Sequence, residues 1–376
     1  MRKYPIGWKT VKLEAVAEFF NGKPLEGRVT PDGNSSLITL DSVDIKGQLK
    51  NNHKKINADG DFLKAGDIVS VLSDIAHGYL LGLSAVIPAD DSYVLNQRMG
   101  LLRTSSEIDP NYLRLFINFN QSYFRERGQG TSQRHIYKRD FYDFDFSYPP
   151  LTEQKAIAKV LSDIDELIEN LKLQIAKTQN VKESICRPLV LSKTRLNGFT
   201  NNWVQRTLGD ELGYEQPTKY LVNTTEHQET GNVPVLTAGK SFILGYSDDT
   251  EGVYTNTPTI LFDDFTTDSK FVDFDFKVKS SACKMVKNIN PKSNLRFFHT
   301  LMQYLEFRPY DHKRYWISEY SKLEILVPEP IEQNAIAAVV EDFENQIKLL
   351  KSELAKYECI KQGMAHDLLT GKVRLV

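Results

Sequence analysis

The stretch that decides the fold is EQKAIAKVLSDIDELIENLKLQIAK, residues 153–177, which returns as EQNAIAAVVEDFENQIKLLKSELAK at residues 332–356. The two copies align without a gap at a constant offset of 179 residues (332 minus 153). The match continues beyond them, because Arg195 corresponds to Arg374 at the same offset. A repeat of this length indicates that the chain is built from two related halves.

Fainter similarity precedes each copy. Trp8 matches Trp203 at an offset of 195, and IDPNYLRLF from Ile108 resembles INPKSNLRFF from Ile289 at an offset of 181. Because the offset falls from 195 to 179, the first half carries a net 16 extra residues. The order along the chain is therefore module, helix, module, helix. The expected divisions are a first module (1–150), a central helix (151–192), a second module (193–329) and a C-terminal helix (330–376).

Apolar residues in each repeated segment follow alternating steps of four and three, the period of a coiled coil. About 36 residues of helix would rise roughly 54 Å. Pro150 and Pro330 suit the helix starts, and Gly198 and Gly371 follow the expected ends. Two such seams in one chain most simply pack against each other, antiparallel, although the helices could serve only to stabilise an elongated protein. The predicted seam consists of Ile157, Leu161, Ile164, Ile168, Leu171 and Ile175 in the first copy, and Ile336, Val340, Phe343, Ile347, Leu350 and Leu354 in the second.

The modules themselves show a mixed α/β pattern. The short runs rich in β-formers, which predict strands, are GDIVSVL from Gly66, SAVIP from Ser84, PTILFDDF from Pro258 and KFVDFDFKV from Lys270. The segments LRLFINFNQSYFRE and LRFFHTLMQYLEF predict helices of about three turns. The expected fold is α+β: two α/β modules separated by two long antiparallel coiled-coil helices, with pseudo-two-fold symmetry.

Composition limits the class of protein. A chain of 376 residues with 41% hydrophobic and 26% charged residues can bury two cores of ordinary size. No apolar run approaches the ~18 residues of a membrane span, and the N-terminal stretch lacks the apolar region of a secretory signal. Cys186, Cys283 and Cys359 are too scattered for a disulfide framework or a zinc cluster. We expect a cytoplasmic protein. The net charge of −2 counts against a simple nucleic-acid binder but allows localised basic patches.

One basic stretch near the end of each module combines residue types that suit phosphate and base contacts. Arginine and glutamine offer paired donors to guanine and adenine edges, and lysine suits phosphates. An ordinary solvated loop would look similar, and the matching location in both modules favours the functional interpretation. The candidate DNA contacts are Arg127, Gln133, Arg134, His135 and Lys138 in the first module, and Lys313, Arg314 and Tyr315 in the second. Lys240, in a separate polar loop of the second module, is a further candidate.

Catalytic signatures are mostly missing. Gly239-Lys240-Ser241 resembles the end of a phosphate-binding loop, but Pro234 stands where its first glycine belongs. The acidic pairs at 248–249 and 263–264 have no lysine in a nuclease-like spacing. We therefore predict no catalytic residue, no metal site and no cofactor in this chain.

Together these features resemble the specificity (S) subunits of type I restriction–modification enzymes. The resemblance covers nearly the whole chain. It is carried by PPLTEQKAIA (149–158), PIEQNAIA (330–337), the linker RLNGF (195–199) with Trp203, and the terminal LLTGKVR (368–374).

The resemblance implies two target-recognition domains that read the two halves of a split, asymmetric sequence in double-stranded DNA. It also implies that the helices set the spacer and dock two modification (M) subunits, which use S-adenosylmethionine to methylate adenines after extruding them from the duplex. Restriction (R) subunits would supply cleavage with ATP and Mg²⁺. A stand-alone DNA-modifying enzyme, and a coiled-coil scaffold without DNA reading, remain the alternatives. The sequence that is read would depend on loop geometry and DNA shape as well as on side chains.

Overall fold

The computed structural model describes residues 4–75, 78–222, 228–239 and 241–375. The chain folds into two compact units. Unit 1 contains Met1–Leu171 and Glu353–Val376, and unit 2 contains Lys172–Ser352. The units do not follow the linear order of modules and helices, because each of them includes a part of both long helices.

Unit 1 places its module ahead of the first long helix. Its strands are β1 (Lys9–Lys12), β2 (Ala17–Asn21), β3 (Ser35–Ile38), β4 (Lys54–Ile56), β5 (Ile68–Val71), β6 (Ser73–Ile75), β7 (Ser84–Val86), β8 (Tyr93–Leu95), β9 (Met99–Thr104), β10 (Gln133–His135) and β11 (Asp145–Tyr148). Its helices are α1 (Pro110–Phe119), α2 (Gln121–Arg127) and α3 (Lys138–Tyr142), followed by the long helix α4 (Leu151–Val190).

Unit 2 repeats this plan with a shorter module. Its strands are β12 (Val204–Thr207), β13 (Leu212–Glu215), β14 (Val233–Leu236), β15 (Ile243–Ser247), β16 (Thr259–Asp263), β17 (Ser269–Val272), β18 (Lys277–Val278), β19 (Cys283–Asn288) and β20 (Glu324–Val327). Its helices are α5 (Leu208–Glu211), α6 (Leu295–Tyr304) and α7 (Tyr315–Ser318), followed by the long helix α8 (Pro330–Leu369). Single 3₁₀ turns lie at Leu13–Ala15, Glu26–Arg28, Leu40–Ser42, Pro217–Tyr220 and Tyr320–Lys322.

The two units share their sheet topology. The antiparallel sheet β2-β9-β5-β7 of unit 1 corresponds to β13-β19-β16-β17 of unit 2. The sheet β4-β3-β8, with its parallel β3–β8 pair, corresponds to β15-β14-β18 with its parallel β14–β18 pair. The pair β1–β11 corresponds to β12–β20, whereas the pair β6–β10 is seen in unit 1 and has no counterpart among the described residues of unit 2. This extra pair, with helix α2, belongs to the longer first module.

Most predicted module elements are confirmed. GDIVSVL, SAVIP and PTILFDDF contain β5, β7 and β16, which are short runs of consecutively buried residues, as expected of strands covered on both faces. The run KFVDFDFKV is not one strand but two, β17 and β18, which lie in different sheets. The predicted helix LRLFINFNQSYFRE is also two elements, because the Asn120 side chain donates to the Phe116 carbonyl (2.8 Å) and ends α1.

The two long helices begin where the prolines predict, α4 at Leu151 and α8 at Pro330. Their ends are also equivalent. The left-handed residue after each helix is Ser192 (φ 57°) and Gly371 (φ 72°), at the offset of 179 residues. Helix α4 ends at Val190, two residues before the expected bound of 192, so Gly198 lies beyond the helix and Ser192 is the left-handed residue next to its end. None of the helices in the described part of the chain is long and apolar enough to cross a membrane.

The helices run antiparallel within each unit. In unit 1 the start of α4, at Ile157 and Leu161, shares a hydrophobic core with the end of α8 at Leu368 and Leu369. In unit 2 the end of α4 shares a core with Ile336 at the start of α8. The predicted seam side chains are buried at Ile157, Leu161, Ile164, Ile168, Leu171, Ile175, Ile336, Val340 and Leu350, and half-buried at Phe343, Ile347 and Leu354.

Candidate nucleic-acid interface

The basic stretch of unit 1 is an ordered loop carried by β10. Strand β10 pairs with β6, so that Gln133 lies opposite Ile75. His135 closes the loop through two backbone hydrogen bonds with Gln129, of 2.8 and 2.9 Å. The tight turn requires glycine at position 130, because Gly130 has φ 113° and an added Cβ would lie 2.1 Å from the Gln133 carbonyl oxygen.

Two of the predicted contact residues hold this loop together. The Arg134 guanidinium donates to the Gly128 carbonyl oxygen from Nε (3.1 Å) and Nη2 (2.8 Å). The Gln133 amide donates to the Ser73 Oγ atom (2.9 Å). Both side chains, like that of His135, are half-buried. They therefore shape the loop as well as lining its surface.

Two others are exposed cations that rest on aromatic rings. The Arg127 guanidinium lies 3.5 Å from the centre of the Tyr123 ring, and the Lys138 ammonium lies 4.7 Å from that of Tyr142. Ring contacts of this kind restrict a long side chain without using up its charge. Arg127 and Lys138 can therefore reach a negatively charged partner at low entropic cost.

In unit 2 the candidates divide differently. Arg314 is exposed at the start of α7. Lys313 is occupied, because its ammonium binds Glu319 (2.5 Å) and donates to the Tyr310 hydroxyl (2.8 Å). The hydrogen bond with Glu319 is the main reason that the pKa of Lys313 is raised above its usual value. Lys240 lies outside the residues that the structure describes.

Tyr315 is not a surface residue, which corrects its assignment as a DNA contact. Its side chain is 0% exposed, packed against Phe307 and Tyr310. The sequence misleads here because a tyrosine flanked by lysine and arginine resembles a solvated basic loop, whereas the start of α7 turns this ring into the core.

Each unit has one buried glutamate in the first turn of a long helix, Glu153 in α4 and Glu332 in α8, and each of them binds an arginine. Glu153 accepts two hydrogen bonds from Arg374, at 2.7 and 2.6 Å. At the equivalent place Glu332 accepts two from Arg195, at 3.0 and 2.5 Å. The forked geometry is the strong form of a carboxylate–guanidinium pair. The C-terminal tail thus supplies the arginine that binds the buried glutamate of unit 1, and the linker after α4 supplies the equivalent arginine of unit 2.

The neighbouring glutamines attach the long helices to the modules. Gln154 accepts from the Asp109 amide (2.9 Å), the N-cap of α1, and donates to the Pro149 carbonyl (2.9 Å). Gln333 accepts from the Asn294 amide (2.8 Å), the N-cap of α6. The sequence predictions missed these roles for the repeated Glu-Gln pair. Its recurrence at the same offset as the two arginines was the available signal.

A third repeated feature differs between the units. In unit 2 Glu344 of α8 binds both Arg296 of α6 (2.6 Å) and Lys182 of α4 (2.7 Å). In unit 1 the equivalent acid is Asp165, shorter by one methylene, which binds Lys361 (2.5 Å). The equivalent arginine, Arg114, is buried and makes instead a single hydrogen bond of 3.3 Å to the Gly47 carbonyl.

The acidic pairs and the Cys283 thiol of unit 2 lie in defined surroundings. No group of three or more histidine, cysteine, aspartate or glutamate side chains within them could hold a metal ion. The acidic pairs are engaged, because Asp264 binds Lys284 (3.0 Å) and Asp249 binds Lys277 (2.8 Å). Burial raises the pKa of the Cys283 thiol to about 11, which makes it a poor nucleophile.

The fold defines the class: a bimodular α/β protein whose two units share one sheet topology, each completed by segments of both long helices. The family can then be stated. Residues 5–178 and 200–358 match the family model described as "Type I restriction modification DNA specificity domain". Because these matches cover more than half of the chain, the chain belongs to this family.

Individual relatives agree with this assignment. The Escherichia coli "Type I restriction enzyme EcoR124I/EcoR124II specificity subunit" is 49% identical over 140 residues, 36% of this chain and 34% of the relative. The match thus spans about a third of that relative's length. Among solved structures, the type I S subunit from M. genitalium superimposes with a TM-score of 0.66 and 17% identity, over 96% of each chain. A chain from a study of type I R-M complex assembly gives a TM-score of 0.58 and 15% identity, over 99% of this chain and 100% of that one. At these identities the structural likeness shows the fold alone.

Proposed function

We propose that this chain is the DNA-reading subunit of a type I restriction–modification complex and recognises a bipartite, asymmetric sequence in double-stranded DNA. The observation that carries the proposal is the combination of one repeated frame with two unlike surfaces. Both units have the same sheet topology. Their basic segments differ in sequence and in structure, so the two modules would read two different half-sites.

The contacts follow from the exposed groups. Arg127, Lys138 and Arg314 carry accessible charges that suit phosphates, which fix the register of a protein on DNA. Gln133 and His135, half-buried on the ordered β10 loop, suit base edges. Arg134 and Lys313 each make two intramolecular polar contacts, whereas Arg127 makes one, so we expect Arg134 and Lys313 to support the loops first and contact DNA second. Lys240 remains a candidate contact.

The long helices are proposed to set the unread spacer and to dock two M subunits, with R subunits joining the complex. We propose that this chain has no catalytic role. Its partners would bind S-adenosylmethionine, ATP and Mg²⁺ and methylate or cleave the DNA that it selects. The docking of two M subunits is supported by the repeated glutamines Gln154 and Gln333, which attach the two modules to the long helices in the same way. Equivalent frames would offer equivalent docking surfaces to two copies of one M subunit.

A module exchange tests the division into half-sites. Residues 1–150 are replaced by the corresponding module of another specificity subunit, and the methylated sequences of a host that carries the M subunit are determined by sequencing. We expect one half of the target to change and the other to persist. Altered bases in both halves would contradict the proposal.

A deletion tests the spacer. Removing seven residues within 157–178 preserves the heptad phase while shortening α4. We expect a shorter tolerated spacer, or loss of activity, with the same bases read. A change in the bases themselves would argue against the spacer role.

The purified chain alone, incubated with DNA, S-adenosylmethionine and Mg²⁺, separates this proposal from a stand-alone DNA-modifying enzyme. We expect no turnover without the M subunit. Footprinting of the chain with its M subunit then separates a DNA reader from a scaffold, which would protect no preferred sequence.

A further inference from the structure

A basic loop in unit 2 presents two arginines that have no described polar partner. The loop is RPYDHKR, residues 308–314, between α6 and α7. Its side chains are exposed except for that of Lys313, which is half-buried and bound to Glu319. Among the described residues, Arg308 and Arg314 have neither a hydrogen bond nor an ion pair to their guanidinium groups. They are the free cations of this loop.

The hydroxyl of the buried Tyr315 side chain holds the backbone of the loop. The Tyr315 oxygen accepts hydrogen bonds from the backbone amides of Tyr310 (2.9 Å) and Asp311 (2.6 Å). It donates in turn to the Asp311 carbonyl oxygen (2.7 Å). A hydroxyl has one proton and two lone pairs, so this one is fully used. A single side chain thus determines the backbone path in the middle of the basic loop.

Tyr315 is itself fixed to the central sheet. Its backbone amide donates to the carbonyl oxygen of Asp264 (2.8 Å), the residue that follows β16. The Asp264 carboxylate accepts from the Trp316 amide (2.7 Å) and pairs with Lys284 of β19 at 3.0 Å. The side chains of Asp264 and Lys284 are each 2% exposed. A buried, satisfied polar network of this kind holds one geometry.

We propose that Tyr315 is a positioning residue for DNA recognition by the second module. Its hydroxyl holds the basic loop in the conformation in which Arg308 and Arg314 face the second half-site. This inference rests on the proposed function. Its physical basis is preorganisation, because a loop ordered before binding loses less entropy when it meets DNA.

The chain contains a matched control for the key substitution. Tyr320 lies in the same core and its ring, like that of Tyr315, is 5.3 Å from the Phe307 ring. Its hydroxyl is directed instead at the Met302 carbonyl (3.4 Å), in helix α6. Tyr315→Phe and Tyr320→Phe therefore remove the same buried oxygen from the same core, and only the first releases the loop.

Both variants are assembled with the M subunit and tested on duplex libraries randomised in either half of the target. We expect Tyr315→Phe to lower selectivity at the second half-site by about tenfold relative to Tyr320→Phe, and to leave selectivity at the first half-site equal in the two variants. We also expect faster hydrogen exchange of the Tyr310 and Asp311 amides in Tyr315→Phe alone. Equal selectivity in the two variants, or equal loss at both half-sites, would overturn the inference.

A second measurement covers the case in which Tyr315→Phe fails to fold. Arg308→Ala and Arg314→Ala change exposed side chains and should leave the fold intact. If these side chains contact phosphates, each variant should reduce the slope of binding affinity against salt by about one. An unchanged slope together with unchanged affinity in both variants would exclude the loop from the interface. If instead the unmodified complex shows no sequence preference, the proposed function itself has failed, and the two failures are distinguishable.

Discussion

Replacing Gln154 by leucine should loosen unit 1 and spare unit 2. The Gln154 side chain is 0% exposed and makes three hydrogen bonds. It accepts from the Asp109 amide (2.9 Å) and donates to the carbonyl oxygens of Glu107 (3.0 Å) and Pro149 (2.9 Å). Leucine keeps similar bulk and leaves all three backbone groups without this partner. At about 1 kcal/mol net for each hydrogen bond, the expected loss is about 3 kcal/mol of unfolding free energy.

The equivalent substitution in unit 2 provides the control. Gln333 accepts from the Asn294 amide (2.8 Å) and donates to the Pro328 carbonyl (2.9 Å). With two bonds in place of three, Gln333→Leu should cost about 2 kcal/mol. The two variants therefore differ in the unit that they affect and in the size of the effect.

Hydrogen exchange resolved along the chain measures both effects. In Gln154→Leu the amides of α1 should lose up to about a hundredfold of their protection, since 1.4 kcal/mol corresponds to a factor of ten. Those of α6 should be unchanged, and Gln333→Leu should show the reverse pattern. Equal loss of protection in α1 and α6 in either variant, or no loss in α1 with Gln154→Leu, would refute the role of the repeated glutamine as the link between module and helix.

Three further predictions follow from the same geometry. Arg374→Met should expose the terminal segments of unit 1 to limited proteolysis, because Glu153 then lies buried without its guanidinium partner; an unchanged cleavage pattern would contradict this. Asp165→Glu gives unit 1 the acid that binds an arginine at the equivalent place in unit 2, and a new pair with Arg114 should raise the stability of unit 1 by about 1 kcal/mol in urea unfolding; unchanged or lower stability would contradict this. Burial lowers the pKa of His299 from 6.5 to about 4, so the unfolded chain binds a proton there first as the pH falls. Unit 2 should therefore lose up to about 3 kcal/mol between pH 6.5 and 4, and His299→Leu should flatten that dependence; an equal slope in both proteins would count against it.

The repeat explains how two units of one fold can differ in function. The frame residues recur at one offset and keep equivalent partners. Glu153, at the start of α4, binds Arg374, which follows α8. Glu332, at the start of α8, binds Arg195, which follows α4. Residues that touch neither the frame nor the core are free to differ. The exposed side chains of the basic segments, such as Arg127 and Arg314, belong to this second group.

The sequence by itself determined the features that depend on local order. The duplication, the starts of α4 and α8, and strands such as β5 and β16 were all predicted, because periodicity and proline placement act within a few residues. It also indicated which segments of the modules carry basic charge. One predicted helix is two elements, α1 and α2, because the side chain of Asn120 binds the backbone within the predicted helix.

Only the tertiary structure decided which distant residues meet. Tyr315 was assigned to the surface from its basic neighbours, and its burial depends on Phe307 and on the Asp264–Lys284 pair contributed by two strands of the sheet. The equivalent arginines likewise have different partners, because Arg296 binds Glu344 whereas Arg114 donates to the Gly47 carbonyl oxygen. Hydrogen bonds and ion pairs act over a few ångströms, so their partners are specified by the folded backbone and not by spacing in the sequence.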